Sequence, residues 1–92
     1  KLTTVPPEVT QLVNLKYLNL SFNRISIIPS SFANLKKLEC LDLSGNHYLQ
    51  KLPLFLNQMP NLKVIMLQDL TWDSTTQEKI KKQFPKIILV FQ

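Results

Sequence analysis

Leu15-Lys16-Tyr17-Leu18-Asn19-Leu20-Ser21-Phe22-Asn23-Arg24-Ile25, closed by Ile28-Pro29, decides the fold of this chain. Its pattern is L-x-x-L-x-L-x-x-N-x-I-x-x-I-P. The same pattern recurs at Leu38, Leu41, Leu43, Asn46, Leu49, Leu52 and Pro53, and a third copy begins at Leu62, Ile65 and Leu67. Within the first copy Leu18 and Leu20 fall on one side of an extended segment, and Tyr17 and Asn19 on the other. That alternation is the period of a β-strand. Copies spaced one repeat apart run in the same direction, so their strands pair in parallel. No single copy can bury its leucines alone, and stacking the copies makes the core.

Between the strands lies a second apolar series, spaced by three: Val9, Leu12 and Leu15, then Phe32, Leu35 and Leu38, then Leu56, Met59 and Leu62. A spacing of three over so few residues predicts a short helical or 3₁₀ turn on the opposite, convex side. Leu15 to Leu38 is 23 residues, Leu38 to Leu62 is 24, and Leu62 to Phe84 is 22. Periods of that length, with this motif, closely resemble the leucine-rich repeat family. The resemblance covers nearly the whole chain and is most specific over residues 6–67.

The resulting expectation is an α/β leucine-rich repeat solenoid. It has short parallel concave strands and 3₁₀ or helical convex turns, and ends in a longer helix and a final strand. Strands are expected at about 16–20, 40–43, 63–67 and 86–90. The chain divides into a partial N-terminal repeat (1–14), full repeats at 15–37 and 38–61, a divergent third repeat with a convex helix (62–83), and a terminal strand or cap (84–92). Lys1 to Pro6 reads as the tail of a repeat already under way, which predicts a fragment of a longer protein. The ending at Gln92 reads as the end of the array.

Three departures from the motif carry expectations of their own. Asn23 and Asn46 occupy one turn position, where an amide both accepts from a backbone N–H and donates to a backbone C=O. The third copy has Leu70 there, so the asparagine ladder should stop and another group should take over. The second copy has one extra residue after Asn46, expected to bulge with His47 and Tyr48. After Trp72, Thr75 and Glu78 fit a capping box for a helix over 76–84. Phe84 is expected to replace the first leucine of the last repeat.

Composition narrows the function. Cys40 is the only cysteine, so there is no internal disulfide framework and no thiolate metal site. A lone thiol points to a reducing, intracellular and most simply cytoplasmic setting. Asn19-Leu20-Ser21 would be a glycosylation sequon in an exported chain. No apolar run reaches the roughly 18 residues needed to cross a bilayer. Catalysis finds little support. His47 is alone on an inserted turn, Cys40 has no placed base, and no Gly-rich phosphate loop exists. No cofactor or metal is expected. The net charge of +5 includes a basic group at Lys79, Lys81, Lys82 and Lys86. Without stacking aromatics or a recognised module, that group reads as a solvated face, with no specific nucleic acid and no membrane as partner.

What the resemblance implies is protein recognition on the concave sheet. Its contacts are expected at Lys16, Tyr17, Asn19, Asp42, Val64, Met66 and Ile88, with Tyr17 as the aromatic anchor. Tyr17, Cys40 and Val64 are expected in one row across the strands, and Asn19, Asp42, Met66 and Ile88 in the next. Structural roles fall to Asn23, Asn46, Leu18, Leu41, Ile65, Pro29 and Pro53. Two alternatives stay open. One is a capping or self-associating segment, including a homodimer through the exposed terminal strand. The other is a module linked to a catalytic domain elsewhere in a larger receptor, scaffold or effector.

Overall fold

In the computed structural model, which describes residues 1–92, the chain winds through four successive coils. Each coil contributes a three-residue strand: β1 (Tyr17–Asn19), β2 (Cys40–Asp42), β3 (Val64–Met66) and β4 (Ile88–Val90). They form one parallel sheet in the order of the sequence. The central residue of every strand stacks on the next, Leu18 beside Leu41, Leu41 beside Ile65 and Ile65 beside Leu89. Leu41 and Ile65 are wholly buried, while Leu18 and Leu89, at the two ends of the sheet, are half-buried. A repeat needs a neighbour on both sides to close its core. For the same reason Leu12 is 54% exposed, whereas its counterparts Leu35 and Met59 are buried.

Opposite the sheet, three 3₁₀ turns span Pro7–Gln11, Ser30–Asn34 and Leu54–Gln58. A proline precedes each one. Pro6, Pro29 and Pro53 accept the first bond of their turns from Val9, Phe32 and Leu56 at 3.0, 3.0 and 3.2 Å. Proline suits this place because its φ is already set and no N–H is needed from it. Phe32 and Leu56 then drop into the core, while Val9 is only half-buried.

The fourth convex element is a true helix, α1 (Ser74–Gln83). The expected Thr75/Glu78 box does not form. Asp73 caps the helix instead, its carboxylate accepting from the Thr76 N–H at 2.8 Å, and Glu78 pairs with Lys81 at 3.6 Å. The cap lies two residues earlier because the chain leaves the core at Trp72, which puts Asp73 at the extended position that a capping side chain requires. Ile80 and Phe84 bury the inner face of the helix.

That helix also shifts the register of the last strand. Phe84 fills the place of Met59, and Ile87 fills that of Leu62. The Ile87 N–H bonds to the Phe84 carbonyl at 3.3 Å, as Leu62 does to Met59 at 3.4 Å. Phe84 therefore does not replace the first leucine. Ile88 comes to lie beside Val64, and Val90 beside Met66.

Candidate functional site

The asparagine ladder holds the rim of the sheet in place. Asn46 is wholly buried. Its Nδ2 donates to the carbonyls of Leu20 and Leu43 at 3.0 and 2.9 Å, and its Oδ1 accepts from the Ile25 N–H at 3.0 Å. Asn23 repeats the arrangement one coil earlier, accepting from Leu2 and donating to Leu20. At Leu70 no amide is present, and two substitutes appear. The extra residue in the second repeat lets the Leu49 N–H close on the Asn46 carbonyl at 3.0 Å. The Trp72 Nε1–H then donates to the Leu49 carbonyl at 2.9 Å. The insertion and the lost asparagine thus compensate one another, and His47 and Tyr48 bulge outward as exposed turn residues.

The residue just before each ladder position is left-handed: Phe22 at φ 57°, Gly45 at 73° and Asp69 at 55°. Glycine and aspartate tolerate that region, but phenylalanine there is unusual. The Phe22 ring lies across Gly45, where an added Cβ would fall 2.7 Å from its Cε1. The missing side chain at 45 makes room for the aromatic at 22.

These turns frame the concave face. One row across the strands is Tyr17, Cys40, Val64 and Ile88, and the next is Asn19, Asp42, Met66 and Val90. Ile88 therefore joins the Tyr17 row rather than the Met66 row, as the register of β4 requires. Tyr17 is 52% and Ile88 63% exposed, and Val64 and Met66 are half-buried between them. Lys16 is exposed at the leading edge, where its carbonyl receives the N–H groups of Glu39 and Cys40.

Asn19 and Asp42 serve their own turns. Asn19 Oδ1 accepts from the Ser21 N–H at 2.9 Å and from its hydroxyl at 2.6 Å. Asp42 Oδ1 accepts from the Ser44 N–H at 3.0 Å. Asp42, expected as an open contact, is 9% exposed. It lines a cleft of about 390 Å³ at the C-terminal end of the strands. Phe22, Ser44, Gln68, Asp69 and Phe91 line this cleft with it. Of the expected contacts, only Asp42 reaches there. The available signal was the shared position before each ladder residue, which carries Phe22 and Asp69 to one rim.

Cys40 sits in the middle of the sheet. Burial pushes its thiol up, and the nearby Asp42 carboxylate adds to the rise, so it is a poor nucleophile at neutral pH. No three His, Cys, Asp or Glu side chains gather to hold a metal ion. No helix is long and apolar enough to cross a membrane. Lys79, Lys81, Lys82 and Lys86 are exposed along α1 and the approach to β4.

The repeating strand, the asparagine turn and the proline-led 3₁₀ turn agree with a family match described as leucine rich repeat over residues 1–47, with a second over 37–59. The chain belongs to the leucine-rich repeat family. A leucine-rich repeat protein of Leptospira interrogans has a solved structure that superposes with a TM-score of 0.64 at 32% identity, covering 97% of this chain and 28% of that one. A probable disease resistance protein of Arabidopsis thaliana is 36% identical over 66 residues, which is 72% of this chain and 8% of that protein. The adenylate cyclase of Schizosaccharomyces pombe is 33% identical over 84 residues, 91% of this chain and 5% of that protein. The leucine-rich repeat chain spans only 3% to 14% of the length of such relatives. In this family the repeats form an interaction module and are typically non-catalytic.

Proposed function

We propose that these repeats recognise a partner protein on the concave sheet and perform no catalytic step. The observation that carries this reading is the row Tyr17–Cys40–Val64–Ile88, a largely apolar strip across all four strands, exposed at its two ends and half-buried between them. An aromatic anchor at one end and apolar neighbours within a polar surround are the composition of an interface centre. Met66 extends the strip, and Lys16 and Asn19 form its polar margin. The raised Cys40 thiol and the solvent-exposed His47 fit a binding role. Chemistry of the kind named in the cyclase relative would belong to other parts of a larger protein. A single cysteine with no disulfide partner fits an intracellular, reducing setting.

The test is affinity capture from the source cells, with the captured partner then purified. Tyr17→Ala/Met66→Ala is compared with a convex pair, Leu54→Ala/Gln58→Ala. We expect the concave pair to lose the partner and the convex pair to retain it, with both variants folded by circular dichroism. Equal retention by both would refute the placement.

A second reading rests on Ile88, which is 63% exposed on the outermost strand. A strand edge bearing apolar side chains can pair with another copy. Sedimentation velocity over a range of concentrations would reveal that dimer, and Ile88→Lys would dissolve it. A monomer at every concentration would exclude it.

A further inference from the structure

The last convex element leaves a gap behind it. Each 3₁₀ turn packs on the next, but α1 packs less closely on Leu54–Gln58. A groove of about 480 Å³ opens between them, within the range of about 300–1,000 Å³ that small binding sites occupy. We propose that this groove binds an acidic, leucine-bearing peptide segment of a second protein. It lies apart from the concave face and does not rest on the reading given above.

The walls are the first argument. One wall is a single face of α1. Thr76, Lys79, Ile80 and Gln83 line the groove, and steps of three and four residues put them on one side of a helix. The other wall is the run 51–54, which leads into the last 3₁₀ turn. The two sides are tied together at the Gln83 end, where the Asn57 Nδ2 donates to the Gln83 carbonyl at 2.7 Å. Part of the shape is thus set before any ligand arrives, which lowers the ordering cost of binding.

The lining is the second argument, because it joins an apolar base to cations of one sign. Leu52 and Ile80 are each 3% exposed and form the base, and Leu54, 59% exposed, forms an apolar lip. Lys51 stands on one wall and Lys79 on the other, both exposed. None of the six carboxylates of the chain lines the groove. The one ion pair is Lys81–Glu78, so neither groove lysine has a partner within the chain. Two like charges flanking one channel attract an anion and repel a cation. The apolar base offers nothing to a bare phosphate, and no aromatic ring lines the groove for a nucleic-acid base to stack on. A carboxylate beside a leucine side chain answers both the lysines and the base.

The probe is a capped hexapeptide of alternating leucine and glutamate, titrated into the isotope-labelled chain and followed by amide NMR. The same peptide with glutamine in place of glutamate, inorganic phosphate, and phosphatidylserine vesicles run beside it. A contact of this size should bind with a Kd on the order of 1 mM. We expect the glutamate peptide to shift the amides of Lys51, Leu54, Thr76 and Lys79. The glutamine peptide should bind at least about tenfold more weakly, and phosphate should leave these amides in place.

Lys51→Gln/Lys79→Gln then removes both groove charges at exposed positions, and an unchanged spectrum away from the groove would confirm its fold. The glutamate peptide should bind this variant at least about tenfold more weakly. Lys36→Gln/Lys37→Gln makes the same change of charge elsewhere on the surface and should bind it undiminished. No response to the glutamate peptide, a glutamine peptide that binds as tightly, an undiminished response in Lys51→Gln/Lys79→Gln, or an equal loss in Lys36→Gln/Lys37→Gln would each overturn the proposal. Phosphate or phosphatidylserine vesicles shifting the same amides as strongly as the peptide would overturn it too, assigning the groove to an anion or a lipid surface. Tyr17→Ala/Met66→Ala should bind the peptide as the native chain does, and loss of the peptide there would overturn a site separate from the concave face.

Discussion

Replacing Asn46 by alanine should be among the most damaging polar substitutions in the chain, and its effect can be worked from the bonds it breaks. The side chain is wholly buried and serves two adjacent coils. Without it, the Ile25 N–H loses its acceptor and the Leu43 carbonyl loses a donor. The Leu20 carbonyl still has Asn23. Each orphaned buried group costs about 1–3 kcal/mol, so the substitution should cost about 2–6 kcal/mol. At about 0.05–0.15 kcal/mol per residue, a chain of 92 residues has only about 5–14 kcal/mol in total. Asn23→Ala is the internal control, because its bond to Leu2 is exposed and Leu20 retains Asn46. It should cost less than about 1 kcal/mol. Urea unfolding of both variants at unchanged slope gives the comparison. Equal losses for Asn46→Ala and Asn23→Ala would refute the argument that burial and cross-coil bonding make the ladder.

Three further expectations follow from the same structure. Leu41→Ala should cost about 2–5 kcal/mol in urea unfolding, and Leu18→Ala about half of that, because Leu18 stands at the open end of the sheet. Trp72→Phe keeps an aromatic side chain but removes the indole N–H and leaves the Leu49 carbonyl unpaired, so it should lose at least about 1–3 kcal/mol, read by the same method. Asp73 is held below the usual carboxylate range, chiefly by the backbone N–H of Thr76 and then by that residue's side chain. Its folded value is depressed, so its contribution to the helix is present above the ordinary carboxylate value and is lost as pH falls below that value toward the folded one. Far-ultraviolet circular dichroism should show this acid-side loss of helix in the native chain and a smaller pH dependence in Asp73→Asn.

Several features were legible in the sequence because they repeat. The alternation at Leu18 and Leu20, copied at Leu41 and Leu43, gave the strands and their parallel pairing, and the proline after each Ile-x-x-Ile or Leu-x-x-Leu step gave the turns. The asparagine ladder and its end at Leu70 were also readable. What replaced the ladder was not, since it needed both the longer turn at 47–49 and the indole of Trp72 to meet in space. The register of β4 was misread because Phe84 and Ile87 are both apolar and either suits the inner position. Only the length of α1 decides between them. Asp73 and Thr75 are both good capping residues, and the path of the chain out of Trp72 selected the first. The rim cleft was hidden for a similar reason. It joins Phe22 and Asp69, placed by left-handed turns, to Phe91 beyond the last strand.

Recognition on the concave sheet is best tested by hydrogen–deuterium exchange of the purified chain with its captured partner. The expected result is slowed exchange at Cys40–Asp42, Val64–Met66 and the rim that follows them, with the convex turns Ser30–Asn34 and Leu54–Gln58 unchanged. Protection confined to the convex turns, with the strands exchanging as in the free chain, would contradict it.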